Sequence, residues 1–206
     1  LKETNRLKNL KIVVPSLSWA TDVSSPMLLG YDTFMCDCNL EDLSCDLKKL
    51  EDLFVKENPS VFILVSPLGL VPNMEKIVCE SMGSKYQGEY LGSFGFASFY
   101  SMYFGHHLST IEGGFINTND EGFYHQMLMM RSHGWDRDLP KEVQKDIRES
   151  YGCSDFDGLY NFYLPGMNLR STDLQAFIGL RQIRKANSIC QRRNENHLRY
   201  AENLKD

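Results

Sequence analysis

The chain of 206 residues has no apolar run approaching the roughly 18 residues that a membrane-spanning helix needs. It has no excess of basic charge either. The formal net charge of −5 gives no reason to expect nucleic acid or a membrane surface as partner. The start, Leu1-Lys2-Glu3-Thr4, is neither an initiator methionine nor a secretory signal, so the expectation is a fragment, or a chain whose first residues are missing. Internal repeats and low-complexity linkers are absent, which excludes a solenoid. Zinc-type cysteine spacing is absent too. Of the six cysteines, Cys36, Cys38 and Cys45 form a C-x-C-x6-C cluster with no C-x2-C pair and no matching second pair. No metal is expected, and all six are expected to be reduced thiols of a cytoplasmic protein. Between Lys76 and Lys141 the only lysine is Lys85, in a Gly-Ser-Lys-Tyr context that reads as a surface turn.

What is present is an ordinary globular composition, 42% hydrophobic and 24% charged, long enough for one sizeable core. Strand and helix patterns alternate. Lys11 to Pro15 (KIVVP) is a β-branched run. Trp19 to Leu29 reads as a helix and Tyr31 to Asp37 as a strand. Leu40, Leu43, Leu47, Leu50 and Phe54 lie at helical spacing and predict a helix over 40–57. Val61 to Ser66 is a continuous apolar run, the mark of a strand buried on both faces. Phe94 to Ser101 and Gly114 to Thr118 are further strands. Asn119 or Asp120 caps a helix that runs to about Ser132 and ends at Gly134. Pro140 suits the first turn of another helix. A long helix is predicted from Asp173 toward Tyr200. Such alternation indicates an α/β sheet covered by helices.

The motif that carries chemistry is Gly105-His106-His107-Leu108-Ser109-Thr110-Ile111-Glu112-Gly113-Gly114. Before it come Val14-Pro15-Ser16-Leu17-Ser18-Trp19, then Ser66-Pro67-Leu68-Gly69 with Asn73-Met74, then Cys79-Glu80-Ser81-Met82-Gly83-Ser84 and Leu91-Gly92-Ser93-Phe94-Gly95. After it come Arg131-Ser132-His133-Gly134-Trp135-Asp136-Arg137 and Leu164-Pro165-Gly166-Met167-Asn168-Leu169-Arg170-Ser171-Thr172-Asp173. In this order the motifs resemble the DegT/DnrJ/EryC1/StrS family of sugar aminotransferases, which use pyridoxal 5'-phosphate (PLP), and the likeness covers nearly the whole chain.

The resemblance implies an α/β fold of the aspartate aminotransferase-like type (fold type I). Residues 1–206 would be its PLP-binding large domain, with a mixed, mostly parallel sheet flanked by helices. The domain would end in the long helix that leads to a small C-terminal domain not present here. In the family a lysine six residues before the Glu of Glu-Gly-Gly holds PLP as a Schiff base. Here that position is His106. Histidine cannot form the Schiff base, but an imidazole titrates near neutral pH and moves protons. Within the family this change resembles that of the 3-dehydratases of nucleotide-linked 4-keto-6-deoxy sugars. It implies a freely bound pyridoxamine 5'-phosphate (PMP), His106 as acid/base, expulsion of the sugar 3-hydroxyl, and glutamate as amino donor. His107 points the other way on an extended segment and is not the base.

The same resemblance implies that Trp19 stacks on the cofactor ring, although from the residue type alone Trp19 reads as core. Ser101 would donate to the cofactor phosphate, and Glu80 would lie near the cofactor hydroxyl or be structural. Asn168 would reach the phosphate of a partner subunit, implying a homodimer. His133 and Arg137 would approach the nucleotide sugar, or else be basic residues offsetting a helix dipole. A few related dehydratases carry an iron–sulfur cluster on cysteines downstream of the histidine. Only Cys153 and Cys190 lie there, far apart.

Three family features have no counterpart in the sequence: the phosphate loop upstream of Leu1, the Glu-Asp strand end that would fall between Val78 and Cys79, and the C-terminal domain. Omitted residues are the favoured explanation, because a core strand cannot simply be deleted. Two other readings stand beside the dehydratase. One is an aminotransferase using another lysine, and the other a non-catalytic member of the family. Survival of Ser101, Thr110, Glu112, Gly113, Gly114 and Asn168 around the changed position argues for the enzyme. Surface-polysaccharide or O-antigen synthesis is the setting that the resemblance implies.

Overall fold

The computed structural model describes residues 7–41, 43–65 and 85–204. Two compact units emerge, one drawn from the chain up to Asn117 together with Ile178 onward, the other from Thr118–Phe177.

The first unit is organised on a three-stranded parallel sheet. Strand β1 (Lys11–Pro15) lies between β2 (Asp32–Cys36) and β3 (Val61–Phe62), with Ile12 paired to both Thr33 and Val61. Its central place explains why Ile12, Val13 and Val14 are buried in succession rather than alternately. Helix α1 (Ala20–Leu28) joins β1 to β2, and α2 (Leu47–Glu57) joins β2 to β3. Val13, Cys36, Cys45, Leu50 and Leu64 form the core, with Phe34, Leu47, Leu53 and Phe62 against it.

The helix expected over 40–57 begins only at Leu47. Leu43 has φ +58°, which a helix cannot contain, and Leu40 is 87% exposed. Asp46 starts the helix by accepting the backbone N–H groups of Lys48 and Lys49, while Cys38 and Cys45 pair as an isolated antiparallel bridge. The strand expected over 61–66 is regular only at Val61–Phe62, and Ser66 lies outside the described residues.

Beyond residue 84, β4 (Lys85–Tyr86) and β5 (Glu89–Tyr90) form a small hairpin around Gln87-Gly88, both at positive φ. Lys85 therefore sits in a strand and not in the turn. Residues Leu91–Ser93 form a short 3₁₀ turn, so the strand expected over 94–101 is shorter: β6 spans Ala97–Ser101 and pairs with β7 (Gly114–Thr118). Tyr100 stacks on Phe115 at 4.7 Å, Asn117 donates to Ser98 at 3.5 Å, and the Met102 N–H donates to the Gly113 carbonyl at 2.8 Å. Rising positions on β6 meet falling positions beyond and along β7, the register of an antiparallel pair.

In the second unit, α3 (Glu121–Met130) is capped by Asp120, whose carboxylate accepts the Phe123 N–H at 2.7 Å. Helix α4 (Lys141–Ser150) follows Pro140, and α5 (Asp155–Gly158) is a single turn that the periodicity did not indicate. Leu128, Met129 and Leu139 make the core, joined by Val143, Ile147, Tyr163 and Leu164.

The long C-terminal helix is two helices, α6 (Asp173–Ile183) and α7 (Ala186–Asn203). The Lys185 N–H donates to the Gln182 carbonyl, an i to i+3 bond that tightens the chain between them. No helix among the described residues is long and apolar enough to cross a membrane, and none of their acidic, cysteine or histidine side chains cluster in a way that would hold a metal ion. None of the five described cysteines is joined in a disulfide.

Candidate functional site

The segment between β6 and β7 carries His106 and is held at several points by its own residues. The Tyr103 N–H donates to Ser101 Oγ at 3.3 Å, and the His106 N–H to the Tyr103 carbonyl at 3.0 Å, which closes a turn. The Thr110 N–H donates to the Met102 carbonyl at 2.9 Å and its hydroxyl to the Glu112 carbonyl at 2.8 Å. Met102, Leu108 and Thr110 are buried and anchor the base of the loop. Gly113 has φ +140°, and a β-carbon on Gly114 would stand 2.9 Å from the Tyr100 carbonyl oxygen. Glycine is required at both places, for conformation at one and for close approach at the other.

With the base pinned, the apex is presented outward. His106 is exposed, its ring 6.1 Å from that of Tyr103 in an edge contact. His107 is half-buried, so the two imidazoles lie in different environments, on a turn rather than the extended segment expected. Burial holds the His107 imidazole below its ordinary value, and the nearby charges of Arg193 and His106 push it the same way. Arg193 lies on α7, and nothing local in the sequence signalled its approach to the loop. On α6, a β-carbon at Gly179 would be 3.2 Å from the Thr110 methyl, so this helix packs closely against the loop base.

Trp19 stands at the N-terminus of α1, where its N–H donates to Asp22 at 3.2 Å. It is 76% exposed, which overturns the reading of this residue as core. Burial raises the Asp22 carboxyl above its ordinary value, partly offset by the Trp19 N–H. Ser101, at the end of β6, is exposed; its oxygen accepts from Tyr103 and its proton remains for an outside acceptor. Glu80 lies outside the described residues, as do Ser66-Pro67-Leu68-Gly69, Asn73-Met74 and the Cys79–Ser84 motif.

Within the second unit, His133, Arg137 and Asn168 are brought onto two crossing segments. Ser132 and Asn168 form an antiparallel bridge; the His133 N–H donates to the Met167 carbonyl at 2.9 Å and the Leu169 N–H to the Arg131 carbonyl at 2.8 Å. Gly134 and Gly166 allow this crossing, since a β-carbon on Gly166 would lie 2.3 Å from the Gly134 nitrogen. Arg137 does not offset a helix end. Its guanidinium lies 3.5 Å over the Trp135 ring, which stacks on Phe162 at 5.0 Å, and it donates to the Leu159 carbonyl at 3.1 Å. His133, at φ +63°, sets its ring edge-on to both Trp135 and Phe162. Asn168 is exposed and accepts from Arg170 at 3.4 Å. Asp136, between Trp135 and Arg137 in the chain, belongs to a buried ion pair that sequence reasoning missed. Arg148 Nε donates to Asp136 Oδ2 at 2.8 Å, with Asp136 fully buried, and this bond raises the Arg148 guanidinium further above its ordinary value.

A model of the DegT/DnrJ/EryC1/StrS aminotransferase family matches residues 4–206. GDP-4-keto-6-deoxy-D-mannose 3-dehydratase of Yersinia pseudotuberculosis is 30% identical over 200 residues, which are 90% of this chain and 50% of that protein. The protein of the same name from Escherichia coli O55:H7 (strain CB9615 / EPEC) is 29% identical over 219 residues, 100% of this chain and 56% of the relative. The solved structure of E. coli GDP-4-keto-6-deoxy-D-mannose-3-dehydratase with bound hydrated PLP superposes with a TM-score of 0.80 at 30% identity, over 98% of this chain and 55% of the other. The chain thus spans about half the length of the curated relatives it matches.

Proposed function

The chain belongs to the DegT/DnrJ/EryC1/StrS aminotransferase family, and from that premise we propose that it works in the PLP/PMP-dependent 3-dehydration of a nucleotide-linked 4-keto-6-deoxy sugar. The observation that carries this reading is His106 at the exposed apex of a loop whose supporting groups, Ser101, Thr110, Gly113 and Gly114, all keep their structural tasks. Loss of the cofactor lysine without loss of its frame favours changed chemistry over decay. The similarity to two 3-dehydratases, and to a solved one with bound hydrated PLP, supports it.

The described residues fit such a cofactor. Trp19 offers an open indole face on which a flat ring stacks, and Ser101 offers a hydroxyl proton to a phosphate oxygen. When bound, the group supplies an electron sink for carbanion character beside the amine. His106 moves the proton that elimination of the 3-hydroxyl requires, and its exposed ring is free to pick up and release that proton. Thr110 and the two glycines fix the loop so that the imidazole does not have to be ordered at each turnover. Arg137, His133 and the Trp135–Phe162 stack are the groups we assign to the nucleotide sugar, Asn168 to the cofactor phosphate of a partner subunit, and Glu80 to the cofactor hydroxyl. The working form is then a cytoplasmic homodimer with glutamate as amino donor, acting in surface-polysaccharide synthesis. In it this chain supplies a fold type I large domain with a mixed, mostly parallel sheet.

The test is an absorbance spectrum of the protein with PLP, then with glutamate, before and after borohydride, followed by assay of 4-keto nucleotide sugars for ammonia release. Loss of the aldehyde band with glutamate, no pyridoxyl-lysine after reduction, and ammonia release are expected. A reducible adduct on a defined lysine, Lys85 included, would return the chain to the aminotransferases. Absence of any cofactor binding would leave a non-catalytic family member.

A further inference from the structure

The cysteine cluster of the first unit does nothing in the proposed reaction, yet its geometry is specific. Cys36 and Cys38 are two apart on the strand end and so face the same side of the sheet. The returning segment brings Cys45 to that side. The bonds flanking the Cys38–Cys45 bridge run from the Asn39 N–H to the Ser44 carbonyl at 2.7 Å and from the Asp46 N–H to the Asp37 carbonyl at 2.8 Å. Neither cysteine exchanges backbone bonds with the other. That is the narrow, non-hydrogen-bonded kind of antiparallel pair, with α-carbons about 4.5 Å apart and side chains closest. This spacing lies within the range that a disulfide spans without backbone movement.

We propose that Cys38 and Cys45 form a reversible disulfide site, with peroxides as the class of oxidant. Cys38 is partly exposed, whereas Cys36 and Cys45 are 0% and 1% exposed. Oxidant therefore meets Cys38 first. Its sulfur attacks the peroxide O–O bond and becomes a sulfenic acid, releasing water or an alcohol. The Cys45 sulfur then attacks the sulfenic sulfur, the S–S bond forms, and the hydroxyl leaves as water with the thiol proton. Each peroxide is reduced by two electrons and two thiols are oxidised. A dithiol reductant reverses the bridge.

The third thiol sits against the resolving one. A hydrogen bond from Cys45 holds the Cys36 thiol below its ordinary value, but Cys36 is 0% exposed, so oxidant reaches the partly exposed Cys38 before it. The bridge would join the exit of β2 to the residue that precedes the Asp46 N-cap of α2. The Ser16 N–H donates to the Cys36 carbonyl at 2.7 Å, which links the same strand end to the turn that leads to Trp19.

Peroxide titration of the purified protein followed by non-reducing peptide mapping tests this. Cleavage before aspartate cuts ahead of Asp32, Asp37, Asp42 and Asp46 and puts Cys36, Cys38 and Cys45 on three separate peptides. The expected result is loss of two thiols per chain, a cross-linked pair of the Cys38 and Cys45 peptides lighter by two hydrogens, and full recovery with dithiothreitol. Cys38→Ser should abolish the bridge and Cys36→Ser should leave it. A bridge that uses Cys36, a cross-link between chains, or sulfinic acid at Cys38 with Cys45 still free would overturn the assignment. Because the wild-type map decides the pairing by itself, a variant that fails to fold leaves the test intact. None of these outcomes depends on the proposed enzymatic function.

Discussion

Replacing Gly134 by alanine measures how tightly the two segments of the second unit cross. Gly134 has φ +90°, and a β-carbon there would lie 1.8 Å from the Leu164 carbonyl oxygen and 2.8 Å from its carbon. Gly152 is the control. It closes α4 with φ +65°, its N–H donating to Glu149 at 3.1 Å and the Cys153 N–H to Arg148 at 2.9 Å, and a β-carbon there meets nothing within 4 Å. The left-handed conformation costs an L-residue about 1–2 kcal/mol, so Gly152→Ala should destabilise by about that much. Gly134→Ala bears the same cost plus a contact with backbone, which no side-chain rotation relieves. Overpacking of this kind adds about 1–3 kcal/mol, for a total of about 2–5 kcal/mol. Urea unfolding of both variants, followed by tryptophan fluorescence, reads the difference. Trp135 lies within this unit, and one other tryptophan, Trp19, lies in the first; repeating the pair in a Trp19→Phe background assigns the signal. Equal midpoints for the two alanine variants, within about 0.5 kcal/mol, would refute the argument that backbone approach, and not conformation alone, fixes glycine at 134.

Asp136→Ala should destabilise by about 3–5 kcal/mol in urea, because it leaves the buried Arg148 with only the exposed Asp155 carboxylate, 3.2 Å from its Nη1, as ionic partner. Asp155→Ala should cost under about 1 kcal/mol, since that carboxylate is 95% exposed, and equal losses would sink the distinction. For His107 the folded value is depressed below 6.5, by burial first and by Arg193 and His106 after it. Its contribution is therefore fully present above the unfolded value and is lost as pH falls through 6.5 toward the folded value. Stability measured from about pH 8 to pH 5 should decline less in His107→Asn than in the wild type, and an unchanged profile would refute the role. His106→Asn should lower dehydration turnover by about 100-fold or more while cofactor binding, read by absorbance, stays within a few-fold; turnover near wild type would remove His106 from proton transfer.

What the sequence made legible, and what it hid, follows the range of the interactions concerned. The strands at Lys11–Pro15 and Gly114–Thr118 are read correctly because burial on both faces, or a bounding pair of glycines, is written in consecutive residues. The Asp120 cap is equally local, whereas α3 ends at Met130 with Arg131 as its C-cap, ahead of the stop expected at Gly134. Helical spacing misled at Leu40 and Leu43, where the Cys38–Cys45 pairing bends the chain and Asp46 restarts it as α2. The break between α6 and α7 falls at Arg184-Lys185, residues that favour helix, so no local signal marks it. Trp19 misled in the opposite sense, since residue type assigns a tryptophan to the core and this one is exposed.

The same distinction explains how much of the candidate site could be found. The His106 loop is built from bonds that span at most twelve positions, Ser101 to Tyr103, Tyr103 to His106, Met102 to Gly113, Thr110 to Glu112, so its spacing carries nearly all of its geometry. Arg193 and Gly179 reach the loop from helices far along the chain, and Arg148 reaches Asp136 from α4. These contacts set the charge around His107 and hold the residue next to Trp135, yet no motif spacing encodes them. The proposed proton-transfer residue is thus recognisable from its loop alone, while the groups that tune the ring beside it become visible only once the chain is folded. Mutating Arg193 therefore tests a property of the fold, whereas mutating Gly113 tests a property of the motif.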